Sequence, residues 1–420
     1  MHPESLMMSY GYKPELSEGS VKAPLFQTST FVFKSAEDGK AFFEVAYGLR
    51  EKENNEELGL IYSRLNNPNL EILEDRLTLW DKAEECAVFE SGMSAISSVM
   101  LEFLKPGDLL LYSMPTYGGT DHFITHFLSS IGVDSIGFTP DQSKGEIIEM
   151  IDKSGKAKNL SLVYLETPAN PTNQLIDIEM CREIADHYTQ EQKNVYLAVD
   201  NTYMGPLWSS PIQFGADLVI YSATKYLGGH SDLIAGAVLG NHELISRVKG
   251  IRTFFGNMAS PHTSWLLLRS LETLKIRMEQ QATNARKIAD FLNEQETVEK
   301  VHYLGNLSPE SKNYSIYKKQ YRSSGAMISF EIKGGEKEAF EFLNNLKLIK
   351  LAVSLGGTES LAQHPATMTH IGMDEDLKSK IGIKSNLIRL SVGVENHEDL
   401  IYEISASLEK INTGYITQEI

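Results

Sequence analysis

The chain has 420 residues, 42% of them hydrophobic and 23% charged, the balance of a globular protein with room for two or three domains. A net charge of -17 works against binding a phosphate backbone, so nucleic acid is not an expected partner and any anionic ligand must be held by local N–H groups and a few placed cations. The two cysteines, Cys86 and Cys181, form no metal or disulfide pattern, and the chain has neither a signal-peptide pattern nor an apolar run long enough for a bilayer; the expectation is a reduced cytoplasmic protein without metal or membrane attachment.

Residues 1–64 read as an N-terminal arm punctuated by Gly and Pro. EKENNEELG (51–59) is polar and acidic, whereas FQTSTFVF (26–33) is apolar enough to need a surface. An arm laid on a neighbouring subunit satisfies both observations. From residue 65 to 265 the texture is that of a large domain. NLEILEDRLTLW (69–80) has helical spacing, and ECAVFES (85–91) leads into the apolar helix GMSAISSVMLEFL (92–104). DLLLYSM (108–114), LSLVYLET (160–167), VYLAVDN (195–201) and DLVIYSA (217–223) are continuous apolar runs, as expected of strands covered on both faces. Helical segments such as MCREIADHYTQ (180–190) lie between them, which predicts a doubly wound α/β domain with a mainly parallel sheet. Residues 266–420 continue a long helical stretch (264–295) into a smaller α+β domain, with strands at AMISFEIKG (326–334) and LIRLSVG (387–393) and helices at KEAFEFLNNL (337–346) and HEDLIYEISASLEKI (397–411).

Ligands in open α/β sheets sit beyond the carboxyl ends of the strands. Asp200 ends one strand, Ser222, Thr224 and Lys225 follow another, and Asn170, Tyr117 and the trio Ser91, Gly92 and Met93 follow three more. A glycine turn into a helix N-terminus offers free N–H groups to a phosphate. In YSATKYLGGHSD (221–232) a lysine directly follows a buried strand, where lysine is rare unless it is paired or reacts. A Schiff-base lysine needs that placement, with its amine desolvated. Asp200 suits a carboxylate that keeps a pyridine nitrogen protonated, so that a pyridoxal ring can act as an electron sink.

These residues sit within VKAPLFQTSTF, YSRLNNPN, SGMSAI, TYGGT, ETPANPT, VDNTY, YSATKYLGGHSD, SLGGTESLAQHPATMTH and LIRLSVGVE, in that order. On these motifs the chain, from about residue 20 onward, resembles the Cys/Met-metabolism family of pyridoxal phosphate enzymes. The resemblance implies the aspartate-aminotransferase-like fold type I: an N-terminal arm, a large doubly wound domain and a small C-terminal α+β domain. It implies pyridoxal 5'-phosphate as cofactor and a small amino acid as substrate. The assembly implied is a homotetramer with active sites shared between subunits. By the same resemblance Lys225, Tyr117 and Asp200 are the catalytic set, and Tyr117 stacks on the ring. Ser91, Gly92, Met93, Ser222 and Thr224 bind the phosphate, and Tyr62 and Arg64 reach the phosphate of a neighbouring subunit. Arg389, supported by Asn170 and Ser354, grips the substrate carboxylate, for which a planar guanidinium fork is suited.

Two positions bear on substrate and disagree. Val353 stands where cystathionine-handling members typically carry Glu, which suggests the apolar pocket of a methionine gamma-lyase. Gly119 stands where methionine gamma-lyases typically carry Cys, as in the cystathionine enzymes. Loss of a charge partner changes specificity strongly. The expectation is therefore γ-elimination from methionine or homocysteine, giving 2-oxobutyrate, ammonia and a thiol. The alternatives are γ-replacement on an O-acylhomoserine or cystathionine gamma-lyase activity, then an aminotransferase, then a binding protein that has kept the fold.

Overall fold

The computed structural model describes residues 1–53, 56 and 58–416, side chains 412–416 excepted; Asn54, Asn55 and Glu57 of the acidic 51–59 segment lie outside the described residues. Seven strands form one sheet: β1 (Glu85–Phe89), β2 (Leu109–Ser113), β3 (Asp134–Phe138), β4 (Leu160–Glu166), β5 (Tyr196–Asp200), β6 (Leu218–Tyr221) and β7 (Gly236–Gly240). Their order is β1-β7-β6-β5-β4-β2-β3, and only β7 runs antiparallel to its neighbours. The continuous apolar runs have the expected consequence. Leu109, Leu111, Val163, Leu165, Leu197 and Val199 face one core, packed by the helices Pro68–Asp81 and Ile178–Tyr188. Leu110, Leu162, Tyr164, Ala198 and Ile220 face the other, packed by Gly92–Phe103 and His242–Phe255. Alternate side chains thus fill two hydrophobic layers, which is why no polar face interrupts these strands.

A second sheet has the order β10-β11-β12-β9-β8, built from β8 (Val298–His302), β9 (Met327–Ile332), β10 (Lys350–Leu351), β11 (Leu361–Gln363) and β12 (Leu387–Ser391). The helices Leu274–Asn293, Glu336–Asn345 and His397–Ile416 pack with it. The stretch expected as one helix over 264–295 is two, Pro261–Leu271 and Leu274–Asn293. The break has a local cause: the Ser270 carbonyl accepts from Thr273 Oγ1 at 3.2 Å and from Arg277 Nη2 at 3.0 Å, which draws the chain into a turn at Glu272–Thr273.

The first 26 residues are tied to their own chain. Asn69 Nδ2 donates to the Pro24 carbonyl at 2.8 Å, Asn69 Oδ1 accepts the Phe26 N–H at 2.8 Å, Arg76 Nε donates to the Tyr10 carbonyl at 3.1 Å, and Met7 is buried. Beyond them Val32 is 94% exposed, and the helix Ala36–Ala46 presents Phe43 to solvent. Among the described residues no helix is long and apolar enough to cross a membrane.

Candidate active site

The carboxyl ends of β1, β4, β5 and β6 open onto one cavity of about 260 Å³. It is lined by Ser91, Gly92, Met93, Tyr117, Asn170, Asp200, Ser222, Thr224, Lys225, Val353 and Arg389, which brings together most of the residues expected from sequence. Three expected residues are not in this lining. Ser354 acts through its carbonyl, which accepts from Arg389 Nη2 at 2.9 Å. Arg64 Nη1 donates to the Thr253 carbonyl at 2.9 Å, and its guanidinium lies 5.6 Å from the centre of the Tyr62 ring.

One end of the cavity is shaped for an anion. Ser91 caps the helix Gly92–Phe103, its Oγ accepting the Ser94 N–H at 3.0 Å. That leaves the first-turn N–H groups of Gly92 and Met93 without helical acceptors, at the positive end of the helix dipole. A Cβ on Gly92 would sit 2.8 Å from Ser222 Cβ, so only glycine lets this turn close on the β6 turn. Thr202 Oγ1 accepts the Ser222 N–H at 2.7 Å and Thr224 Oγ1 accepts the Ala235 N–H at 3.0 Å, which fixes the β6 turn. The cradle fits a phosphate.

The middle of the cavity fits a protonated heterocycle that carries an aldehyde. Asp200 is buried at the end of β5; its Oδ1 accepts the Thr202 N–H at 3.0 Å and its Oδ2 the Tyr164 hydroxyl at 3.2 Å. Burial pushes this carboxyl up, against the hydrogen bonds of Thr202 and Tyr164 and the charge of Lys225, so a cation beside it is the partner it lacks. Lys225 Nζ has no hydrogen-bond partner among the described residues. Burial, and next the Arg389 guanidinium, hold its amine below the usual range, while Asp200 pulls the other way. A less basic amine is a nucleophile and a proton acceptor near neutral pH. Tyr117 lies at the head of the short helix Gly118–His122. A Cβ on Gly119 would fall 2.7 Å from Tyr117 Cε1, so the absence of a side chain there gives the tyrosine ring its room.

The other end is cationic. Arg389 on β12 is only 2% exposed, and its Nη1 donates to Asn170 Oδ1 at 3.0 Å. Gln363, its cross-strand neighbour on β11, offers its amide oxygen to Nη1 and Nε, each at 3.2 Å, once the amide is turned toward the guanidinium. The fork is therefore oriented from the side and behind. Val353 borders the cavity and is 58% exposed, so this position offers an uncharged side chain where a carboxylate could meet a distal amine.

Sequence reasoning missed three residues here. Gln363 is one. Tyr203 is another, a buried lining residue whose hydroxyl has no hydrogen-bond partner among the described residues. The third is Glu166, which ends β4 beside Asp200 in the strand register and lines the cavity. Burial and then the charge of Asp200 push its carboxyl up, opposed by the N–H groups of Tyr117 and Asn170 and by Arg389. The strand-end rule that singled out Asp200 applies equally to Glu166, and it is the signal that could have found it. The histidines of the motifs have structural partners: His364 bridges Thr367 Oγ1 at 2.8 Å and the Ser385 carbonyl at 2.7 Å.

Residues 4–409 match the family described as Cys/Met metabolism PLP-dependent enzyme. The L-methionine gamma-lyase of Fusobacterium nucleatum subsp. nucleatum is 42% identical over 395 residues, 94% of this chain and 94% of that protein. The L-methionine gamma-lyase of Porphyromonas gingivalis is 40% identical over 420 residues, 98% of this chain and 100% of that protein. The crystal structure of cystathionine gamma synthase from Xanthomonas oryzae pv. oryzae in complex with cystathionine has a TM-score of 0.85 and 30% identity, covering 98% of this chain and 99% of that one.

Proposed function

Because the chain belongs to the Cys/Met metabolism PLP-dependent enzyme family, we propose that it cleaves L-methionine or homocysteine by γ-elimination, adding water and releasing 2-oxobutyrate, ammonia and a thiol. The observation that carries this reading is identity of about 40% to L-methionine gamma-lyases along nearly the whole chain, joined to an uncharged Val353 at the cavity rim. When bound, pyridoxal phosphate supplies a sink for the electron pair left on a substrate carbon after proton removal. Lys225 is the residue that attaches it and, once free, the base that takes the α-proton, a role for which its lowered basicity suits it. Asp200 holds the ring nitrogen in its protonated form. Ser91, Gly92, Met93, Ser222 and Thr224 hold the phosphate. Arg389, steadied by Asn170 and the Ser354 carbonyl, receives the substrate carboxylate and thereby orients the Cα–H bond and the side chain. Tyr117, beside Gly119, protonates the departing sulfur.

A product assay tests this. Methionine is expected to yield 2-oxobutyrate and methanethiol in equal amounts; absence of 2-oxobutyrate with both methionine and homocysteine would sink the reading. One observation favours a second reading, γ-replacement on an O-acylhomoserine. A Cβ at Gly119 would fall 2.7 Å from Tyr117 Cε1, so the tyrosine ring takes the space that the cysteine typical of methionine gamma-lyases would occupy. An O-acylhomoserine with cysteine or sulfide would then give the thioether or thiol product in place of 2-oxobutyrate.

The working assembly in this proposal is a cytoplasmic homotetramer whose cofactor phosphate is also held by Tyr62 and Arg64 of a second chain. Two features support it: these residues stand outside their own chain's cavity lining, and the apolar Val21, Val32, Phe254 and Phe255 are exposed on a single chain. Arg64→Ala and Lys225→Ala chains, each inactive alone, should regain up to about a quarter of the activity when refolded together, because half the pairings are mixed and each mixed pair has one intact site. No recovery would mean that the sites are not shared.

A further inference from the structure

Glu166 stands between the Tyr117 loop, at the middle of the cavity, and the Asn170 loop at its cationic end. It is 6% exposed. Its Oε2 accepts the Tyr117 N–H at 2.6 Å, and the Asn170 N–H lies near enough to the carboxylate to favour its charge. Ser113 Oγ accepts the N–H of Glu166 itself at 2.9 Å, which anchors the residue to the end of β2. Asn170 in turn holds Arg389. One carboxyl group therefore holds Tyr117 and adjoins Asn170, the residue that holds Arg389.

The position is an expensive one for a carboxyl group. Glu166 is paired in register with Asp200, so two buried acids lie side by side where their charges oppose one another. Two N–H groups could be satisfied by any acceptor of the right reach. What the long Glu side chain adds is a span from the end of β4 to both loops at once.

Resting on the reading that Tyr117 serves the departing group and Arg389 the carboxylate, we propose that Glu166 is a positioning residue that clamps the Tyr117 loop to the Asn170 loop and so fixes the separation between proton donor and carboxylate anchor. Reach, not charge, is then its useful property. Two substitutions separate these. Glu166→Gln keeps the reach and an acceptor oxygen but removes the charge. Glu166→Asp keeps the charge but is one carbon short.

Both variants are prepared as holoenzyme and examined in two ways. The first is kcat and KM with L-methionine. The second is a titration with L-norleucine, which has the α-amino and α-carboxyl groups but no leaving group, followed by the cofactor's absorbance. Since a displacement near 1 Å can cost about 100-fold, Glu166→Asp should lose about that factor in kcat/KM, shared between kcat and KM, and bind norleucine about tenfold more weakly. Glu166→Gln should stay within about threefold of the parent in both measurements. Glu166→Asp equal to or better than Glu166→Gln would overturn the proposal, since charge would then be the property in use. So would two variants both close to the parent, or both equally impaired. The norleucine titration needs no turnover, so a parent inactive on methionine refutes the proposed substrate while leaving the clamp to be decided by the ratio of the two variants.

Discussion

Lys225→Ala is expected to abolish covalent attachment of the cofactor, seen as loss of its long-wavelength absorbance, and to lower turnover at least about 1,000-fold. The side chain follows the end of β6 and lines the cavity beside Asp200 and Arg389. Its loss removes two functions at once, the amine that holds the cofactor and the base that takes the α-proton. The fold should not suffer. Lys225 Nζ has no hydrogen-bond partner among the described residues, whereas the backbone of the same residue donates to the Ser222 carbonyl at 3.0 Å and accepts from Gly229 at 2.7 Å, and both bonds survive the substitution. Thermal unfolding of the two cofactor-free chains should therefore differ little while activity disappears. Retained turnover with methionine, or a collapse of stability that matches the loss of activity, would contradict the assignment.

Much of this site was legible because its chemistry is tied to strand ends. β4, β5 and β6 are continuous apolar runs, buried on both faces, so their carboxyl ends could be read from the sequence and Asn170, Asp200 and Lys225 placed beyond them. β3 and β7 escaped the same reasoning. β3 lies at the edge of the sheet and is only partly buried, so its sequence DSIGF lacks the apolar run. β7 is GAVLG, and its Gly236 is required because a Cβ there would lie 2.2 Å from the Ser91 carbonyl oxygen. That glycine shapes the phosphate turn from a distant point in the chain, and no local pattern announces it. Gln363 is of the same kind. It meets Arg389 only through the β11–β12 register, which belongs to the assembled sheet. The break at Glu272–Thr273 was hidden because the apolar periodicity continues across it, while its cause lies in the Ser270 carbonyl and the Arg277 guanidinium.

Glu74→Ala should destabilise the protein by about 3–5 kcal/mol, a large part of a typical total of about 5–15 kcal/mol. Glu74 lies on the helix Pro68–Asp81 and is 5% exposed. Its Oε1 accepts from Arg252 Nη1 and from the Val88 N–H at 3.0 Å, and its Oε2 lies 3.0 Å from Lys249 Nζ. Arg252, itself buried, also donates to the Val88 carbonyl at 2.9 Å. Both polar groups of Val88, on the strand that leads to Ser91 and Gly92, thus depend on this pair. The alanine leaves a buried guanidinium without its counter-ion and an N–H without an acceptor. Replacing both partners together, as Glu74→Met with Arg252→Leu, removes the uncompensated guanidinium but leaves the Val88 N–H and carbonyl without their partners, so it should recover only part of the loss. The pair also sets a pH dependence. Burial pushes the Glu74 carboxyl up, but Arg252 and Lys249 outweigh it and hold it below the usual range. A carboxyl group depressed in the folded state contributes its full stability above its unfolded value of about 4.3, and that contribution is lost as pH falls through the folded value. Urea unfolding at fixed chain and cofactor concentrations should therefore show the gap between parent and Glu74→Ala constant from pH 6 to 8 and narrowing only in acid. A gap that widened on acidification would mean that Glu74 is held protonated in the fold and that Arg252 is not its partner.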